Sequence, residues 1–246
     1  MLWPGLPLPD RMEAAARAGF GAIETQFPYD VAPQTVRRLS QRLNLELLGI
    51  NSPPGDLARG ELGFAALPGR ETEFMESIKR AINYCEIAGF LSIHVMAGNT
   101  SGLPREASRT LFTDNLRRAA DLAALRGIKL LLEPLNRVDH PHYFYGTIDE
   151  GIAALTEIGH PNVKLQFDAY HAGMHSRDVI AALQRSWPWV GHIQIAAVPD
   201  RGEPDQGEVD IPAVMHVADQ LGYSGWISCE YRPRGDTDEG LVWMRS

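Results

Sequence analysis

Four oxygen-bearing side chains end four apolar runs in the second half of the chain, in the segments KLLLEPLN, VKLQFDAYH, HIQIAA and WISCEY. Such runs are typical of buried parallel strands, and an unpaired buried charge costs several kcal/mol. Any one of these residues alone could be a solvated strand end, but four equivalent positions indicate a common site. Oxygen donors suit Mg²⁺ better than Zn²⁺. We therefore expect a divalent metal ion, Mg²⁺ foremost and otherwise Mn²⁺ or Co²⁺, bound by Glu133, Asp168, Gln194 and Glu230.

Such a site can carry out proton chemistry on a hydroxycarbonyl compound. A divalent ion can hold two adjacent oxygens, acidify the C–H group between them and stabilise the enediolate that forms. Two carboxylates on opposite sides of that carbon could remove the proton and return it. These residue types favour an isomerase, while a barrel that only binds a sugar acid around a structural metal stays open as an alternative.

Further polar residues are placed to reach the same site. His171 follows Asp168 by three residues and could donate to a substrate oxygen, although it could also be a surface or core histidine. Arg201, in the segment PDRGEP, could hold a substrate carboxylate in a bidentate pair or be a solvated loop residue. His94 and Asn51 end their strands and could line the pocket. We predict all four as substrate-binding residues.

Two other residues receive weaker assignments. Glu24 ends the first recognisable strand, and the sequence shows no partner for it. His192 precedes Gln194 by two residues, so its side chain points to the same side of the strand one layer deeper. We interpret His192 as a core residue or as a support for the site.

Strand-like and helix-like segments alternate along the chain, which predicts a parallel sheet with helical crossovers. We count seven strands and eight helices in one domain, residues 1–246. A (β/α)8 TIM barrel carries its active site at the C-terminal ends of its strands, where the four oxygen-bearing residues lie. An open doubly wound sheet would need a glycine-rich phosphate loop, which the sequence lacks. The predicted strands are residues 21–26, 45–51, 91–98, 129–133, 163–171, 190–197 and 226–231, and the predicted helices are residues 10–18, 33–44, 71–88, 104–126, 147–159, 176–187, 211–222 and 237–245.

Local signals support several of these boundaries. Asp10 and Thr147 are expected to cap the helices that follow them, because their side-chain oxygens can accept from the free N–H groups of the first turn. The loop at residues 52–70 is rich in Pro and Gly. Loops of this length in compact domains are usually lids or binding loops, so we predict that it serves the site.

Composition narrows the class of protein. The chain of 246 residues has a net charge of −8 and is 44% hydrophobic, which is ordinary for a soluble globular protein. Nucleic-acid binding draws on basic patches, so we expect no nucleic-acid partner. No apolar run reaches the roughly 18 residues of a membrane span, and the first residues lack the basic start of a signal peptide. We expect a cytoplasmic protein with no membrane partner.

Several motifs together resemble the hydroxypyruvate isomerase family: FPYD at residues 27–30, the loop PPGDLARGELGFAALPGRETEF, LLEPLN, QFDAYH, GHIQIA with RGEPDQGEV, and CEY. That family belongs to the xylose-isomerase-like barrels, beside the ketose 3-epimerases and endonuclease IV, and the resemblance covers nearly the whole chain. It implies the reversible isomerisation of hydroxypyruvate and tartronate semialdehyde, with the four strand-end residues as metal ligands. It also implies Glu133 and Glu230 as the acid/base pair and His171 and Arg201 as substrate contacts. A small hydroxy-oxo acid is then the partner, and a homo-oligomer is allowed.

The chain departs from that family at its start, where the family has a strand that this sequence lacks. Either the start codon is wrongly assigned, or the predicted barrel lacks its first strand and is open between its last strand and residues 21–26, which exposes unpaired backbone groups. A 2-oxotetronate is an alternative substrate, because the shape of the loops decides whether the pocket accepts one extra carbon, and the sequence does not show that shape. Ketose 3-epimerases resemble the chain except for a histidine where Gln194 stands, so epimerisation fits less well. A DNA-repair role would require a histidine-rich zinc cluster and a basic face.

Overall fold

Seven parallel strands form a single sheet that curls into a nearly closed barrel, in a computed structural model that describes residues 1–245. Each strand pairs with the next one along the chain. The predicted (β/α)8 barrel without its first strand is confirmed. The strands are β1 (Ala22–Thr25), β2 (Glu46–Asn51), β3 (Ser92–His94), β4 (Lys129–Leu132), β5 (Val163–Asp168), β6 (Val190–Ile195) and β7 (Ile227–Cys229).

Helices connect the strands and pack in a ring around the barrel, so that α1 contacts α2, α5 contacts α7 and α7 contacts α8. None of the described helices is long and apolar enough to cross a bilayer. The α-helices are α1 (Leu8–Ala18), α2 (Pro33–Leu43), α3 (Glu71–Ala88), α4 (Arg105–Ala124), α5 (Ile148–Ile158), α6 (Ala169–His175), α7 (Val179–Ser186), α8 (Ile211–Gln220) and α9 (Thr237–Gly240), and 3₁₀ turns cover Leu57–Arg59, Trp187–Trp189 and Leu241–Arg245.

Most of the helices form where the sequence predicts them, and capping residues set several of their ends. In α3, Gly89 ends the helix with φ of 101°, a conformation that glycine adopts without strain. In α5, the Thr147 side chain accepts from the Glu150 N–H group, as predicted for its cap. The apolar residues that recur at helical spacing in α3 are buried: Phe74, Ile78, Ala81, Ile82 and Cys85.

Two predicted boundaries in the first half of the chain are wrong. Helix α1 begins at Leu8 with Pro7 at its N-cap, so Asp10 lies in the first turn and does not cap the helix. Proline fits the first turn because its fixed φ is helical and its missing N–H group has no helical acceptor there. The strand predicted over residues 91–98 ends at His94. Beyond Val95, the N–H groups of Met96 and Ala97 leave the strand pairing and donate to the hydroxyls of Ser52 and Tyr143 at 3.0 and 2.8 Å.

The strand predicted over residues 163–171 is also too long, and this error hid a helix. The Asp168 carboxylate accepts from the Tyr170 N–H group at 2.8 Å and caps α6, which starts at the next residue. His171 therefore lies on a helix and not at the end of the strand. The following helix begins late, at Val179, because Asp178 caps it. Helix α6 is the element that the predicted count of eight helices missed.

β1 and β7 are the two edges of the sheet, and neither pairs with a second strand within residues 1–245. A cavity of about 580 Å³, called here the inter-edge cavity, lies between them and is lined by Ile23 and Ile227 from the two strands. Side chains still meet across the gap, since the Gln26 amide donates to Glu230 Oε1 at 2.8 Å. This is where the eighth strand of a closed barrel would run.

Candidate active site

The four strand-end residues lie at the C-terminal end of the barrel. Glu133 directly follows β4, Asp168 ends β5, Gln194 pairs in register with Asp168 from β6, and Glu230 directly follows β7. Each is more than nine-tenths buried. The barrel thus gathers side chains from distant parts of the sequence at the end where its active sites form.

Arg201 lies inside this space, between two of the carboxylates. Its Nη2 atom donates to Glu230 Oε2 at 3.0 Å and to Asp168 Oδ2 at 3.3 Å, and its guanidinium carbon lies 4.8 Å from the centre of the Tyr170 ring. Its φ of 57° is left-handed, a conformation that costs a non-glycine residue about 1 kcal/mol and that these ion pairs offset. Arg201 is therefore not the solvated loop residue of the alternative interpretation. Its role as a clamp for a substrate carboxylate stays a prediction.

His171 points a hydrogen-bond donor at the carboxylates. Its Nδ1 accepts from the backbone N–H group of Asn136 at 3.0 Å, so the proton of the neutral ring is on Nε2. That atom lies 3.6 Å from Glu133 Oε1 and 3.7 Å from Asp168 Oδ2. Burial, aided by the charge of Arg201, lowers the pKa of His171 well below its usual range. The ring is therefore a neutral donor, which is the state needed to donate to a substrate oxygen.

Burial raises the pKa values of the three carboxyl groups of the site. Burial, reinforced by the charges of Glu230 and Asp168, raises the pKa of Glu133 well above its usual range. Burial also raises the pKa of Glu230 to about 7, although Arg201 opposes the shift, and it raises the pKa of Asp168. Carboxyl groups shifted toward neutral pH can serve as general acids and bases.

The donor set at this site fits a divalent cation. Glu133, Asp168 and His171 each place one ligand atom within 4.8 Å of the others, and Glu133 Oε1 is buried without a hydrogen-bond partner. In the described part of the site, three buried carboxylates when ionised face one guanidinium, so two negative charges lack a matching cation. Buried charges require partners, and oxygen donors of this kind suit a hard divalent ion. The residues could therefore hold a metal.

Gln166 belongs to this site and was missed from the sequence. Its amide nitrogen donates to Glu133 Oε2 and to Gln194 Oε1, both at 2.8 Å. It precedes Asp168 by two residues in β5, so the two side chains point to the same face of the strand. That spacing was the signal that could have identified it.

Glu24 of β1 has partners that the sequence did not reveal. Its Oε1 accepts from the Gln194 amide at 2.6 Å, and its Oε2 lies 2.8 Å from His192 Nε2. Burial acts to raise the pKa of Glu24, but the charge of His192 and hydrogen bonds from His192, Gln194 and Ser228 outweigh it and lower the pKa. His192 therefore supports the site through Glu24.

His94 and Asn51 both line the inter-edge cavity. His94 Nδ1 lies 3.2 Å from Glu133 Oε2, and burial lowers the pKa of His94 to about 3, so its ring is neutral. Neither Glu133 nor Asp168 forms part of the described cavity wall. Gln194 and Glu230 do line it, so the cavity between the two strand edges reaches one side of the site. Substrate binding by His94 and Asn51 stays a prediction.

Fold and site together define a (β/α) barrel with buried carboxylates at the C-terminal ends of its strands. The sequence profile of one family, described as the xylose isomerase-like TIM barrel, matches residues 12–246. This chain belongs to the xylose isomerase-like TIM-barrel family.

Relatives within the family are similar over nearly their whole length. The chain is 46% identical over 237 residues to a 2-oxo-tetronate isomerase of Cupriavidus necator, which covers 96% of this chain and 91% of that protein. It is 35% identical over 235 residues to the hydroxypyruvate isomerase of Escherichia coli, covering 95% and 91%. A crystal structure named AP endonuclease, family 2, from Brucella melitensis matches with a TM-score of 0.96 at 40% identity, covering 99% and 95%. The two isomerases confirm the prediction of an isomerase of this kind.

Proposed function

We propose that this protein is a metal-dependent aldose–ketose isomerase that interconverts hydroxypyruvate and tartronate semialdehyde. The observation that carries the proposal is the pair of buried glutamates with raised pKa values, Glu133 and Glu230, beside Arg201 and the donor face of His171. The relative named hydroxypyruvate isomerase supports the choice of substrate.

The isomerisation moves a proton from C3 of hydroxypyruvate to C2 and moves the hydroxyl proton from the oxygen on C3 to the oxygen on C2. In the proposed mechanism one of Glu133 and Glu230 removes the carbon-bound proton as a carboxylate, and the other returns a proton as a carboxylic acid. The Nε2–H group of His171 donates to a substrate oxygen, and Arg201 pairs with the substrate carboxylate.

Glu133, Asp168, Gln194 and Glu230 are the proposed ligands of a divalent ion, Mg²⁺ foremost. When bound, the ion would polarise the substrate oxygens and lower the pKa of the C–H group between them. The chain's own groups would orient the substrate and hold the protons. Arg201 meanwhile limits the repulsion between Asp168 and Glu230, because it donates to both.

A second candidate substrate is a 2-oxotetronate. The relative with that name is 46% identical to this chain, against 35% for the hydroxypyruvate isomerase. The same residues could act on either acid, because the additional carbon lies outside the reacting pair of carbons. One additional carbon changes the binding free energy in a pocket by about 1–3 kcal/mol. A direct comparison of the turnover of the two acids therefore decides between them.

DNA is not a proposed partner, although the similar Brucella protein is named an endonuclease. The net charge of the chain is −8, whereas binding to the DNA backbone depends on basic patches. The one described cluster that could hold a metal contains a single histidine. We propose a cytoplasmic protein whose partner is a small acid, and we retain the homo-oligomer as a prediction.

Separate Glu133→Gln and Glu230→Gln variants test the proposal against a barrel that only binds its ligand. Each variant should lose about 10²–10⁴-fold in kcat while it still binds hydroxypyruvate in a calorimetric titration. Glu150→Gln is the matched control, because Glu150 pairs with Arg105 and Arg137 away from the site and should keep wild-type turnover. Wild-type turnover in either site variant would contradict the assigned roles, and ligand binding by a wild-type protein without turnover would establish the binding module.

A further inference from the structure

The side-chain amide of Gln194 is held from both sides by groups that distinguish its oxygen from its nitrogen. On one side its Nε2 donates to Glu24 Oε1 at 2.6 Å. On the other side its Oε1 accepts from Gln166 Nε2 at 2.8 Å. Gln166 cannot reverse this arrangement easily, because the same nitrogen also donates to Glu133 Oε2 at 2.8 Å.

The orientation of this amide decides what Gln194 offers to a cation. Only the oxygen of an amide can ligate a metal ion, and a carbonyl oxygen has two lone pairs, so the hydrogen bond from Gln166 leaves one free. A carboxylate has no N–H group and accepts only. Glu24 therefore requires the nitrogen of Gln194 to face it, which turns the oxygen away from Glu24 and toward Gln166, whose amide also donates to Glu133.

Glu24 itself is held in place for this task. Its second oxygen lies 2.8 Å from His192 Nε2, and His192 lies two residues before Gln194 on the same face of β6. Glu24, which accepts from the amide, thus comes from β1, and His192, which contacts Glu24, comes from β6. Gln166 completes the arrangement from β5. The arrangement reaches Gln194 from three strands of the barrel.

We propose that Glu24 is a positioning residue that fixes the amide of Gln194 with its oxygen toward the metal. This inference rests on the proposed function, since it assumes an ion ligated by Gln194. Without the Glu24 acceptor only Gln166 holds the amide, so a half turn that presents its nitrogen, which carries partial positive charge, to the cation costs one hydrogen bond and not two. Groups that orient metal ligands typically change metal affinity by about 10–100-fold when they are removed.

The test is the dissociation constant of Mn²⁺, measured by electron paramagnetic resonance on the purified full chain without substrate. Glu24→Leu removes the acceptor and should weaken Mn²⁺ binding by about 10–100-fold. Glu24→Gln keeps an oxygen that can accept from Gln194 and should restore most of the affinity. Glu150→Gln is the control and should bind as the wild type does. Circular dichroism and melting curves establish that each variant is folded.

A second pair of variants separates positioning from a general structural effect. In a Gln194→Ala background there is no amide to orient, so Glu24→Leu should cause little further loss of Mn²⁺ affinity. If the leucine variant does not fold, the same comparison is made with Glu24→Gln. Any loss of Mn²⁺ affinity that Glu24→Gln causes in the wild-type background should be absent in the Gln194→Ala background.

The outcomes distinguish this inference from the function on which it rests. Undiminished Mn²⁺ affinity in folded Glu24→Leu, or a full loss that persists beside Gln194→Ala, would overturn the positioning role and leave the metal site intact. A wild-type chain that binds no Mn²⁺ would overturn the metal site and the positioning role together.

Discussion

At Glu230, burial and the neighbouring charge of Asp168 favour the protonated carboxyl group, whereas Arg201 favours the carboxylate. The pKa near 7 that results lets one side chain exist in both protonation states under ordinary conditions. Glu133 is shifted in the same direction by burial and by the charge of Glu230. Since the charge of Glu230 raises the pKa of Glu133, Glu133 tends to hold its proton when Glu230 has lost its own. This is the property that a proton-transfer pair requires.

The raised pKa of Glu230 predicts a pH-dependent contribution to stability. Between its ordinary value of 4.5 and its folded value of about 7, the folded state holds a proton that the unfolded state releases. The contribution is therefore complete below pH 4.5 and is lost as the pH rises toward 7, with a slope of at most about 1.4 kcal/mol per pH unit.

Urea unfolding of wild type and Glu230→Gln, both with a chelator present, measures this contribution. The free energy of unfolding of the wild type, relative to the variant, should fall from pH 4.5 to pH 7, because glutamine does not titrate. Histidines with lowered pKa values make the free energy of unfolding rise with pH in both proteins. Their contribution cancels when the variant is subtracted from the wild type. A difference that is constant over this range would show that burial does not raise the pKa of Glu230.

The residues of the site differ in how far the sequence predicts them. Glu133 and Glu230 are recognisable because each ends an apolar run, where a charge has no structural reason to be buried. Gln166 lies inside such a run, and an isolated buried glutamine there has no distinguishing feature except its spacing from Asp168. The partners of Glu24 come from β6, which is far from β1 in the sequence. Only the curvature of the sheet brings these two strands together.

At the scale of elements, the apolar runs predict all seven strands and the helical periodicity predicts the long helices. Short structures at the strand ends are not predicted. Helix α6 has seven residues, too few for an apolar periodicity to appear. Its cap is Asp168, which also lies in the site, so one carboxylate fixes the helix through one oxygen and faces Arg201 with the other. This cap places His171, and the helix is therefore part of the site's architecture.

The loop at residues 52–70 is fixed to the barrel at the end of β3. The Ala66 N–H group donates to the Ala97 carbonyl at 2.8 Å, and Gly63 pairs with Ala97 in an isolated bridge. A Cβ atom at Gly63 would lie 2.1 Å from the Met96 carbonyl oxygen. The backbone can approach β3 this closely because residue 63 is glycine.

Gly63→Ala should therefore destabilise the protein more than Gly60→Ala does. Both glycines have positive φ, 98° and 75°, but a Cβ at Gly60 meets no atom within 4 Å. Gly60→Ala carries only the backbone cost of about 1 kcal/mol, while Gly63→Ala adds a steric cost of about 1–3 kcal/mol. Urea titration of the two variants measures the difference, and equal free energies of unfolding would mean that the loop does not depend on this close approach.

For the whole molecule, the open side of the barrel is the main departure from a closed fold. The edges of β1 and β7 leave backbone groups without strand partners in the described chain, and such edges favour aggregation or pairing with another strand. The ligand-bearing strands β4 to β7 are each paired with a neighbour. Metal binding should accordingly depend less on the open side than stability does.

A strand-forming segment added before Met1 should raise the melting temperature. Met1 and Leu2 line the inter-edge cavity, so about six added residues with alternating apolar side chains can enter the gap and pair with both edges. Each kcal/mol gained should raise Tm by about 2–4 °C in a protein of this size. A Gly/Ser segment of equal length is the control, and equal melting temperatures for the two extended proteins would count against the gap as a strand site.

The most direct measurement is the isomerase rate of the purified protein after chelation and after addition of Mg²⁺, Mn²⁺ or Co²⁺, with hydroxypyruvate and a 2-oxotetronate assayed side by side. Turnover should disappear on chelation, return with a divalent ion and be faster with hydroxypyruvate. Faster turnover of the four-carbon acid would keep the chemistry of Glu133 and Glu230 and change the substrate. Turnover that survives chelation, or folded protein that is inactive on both acids with every ion, would contradict a metal-dependent isomerase.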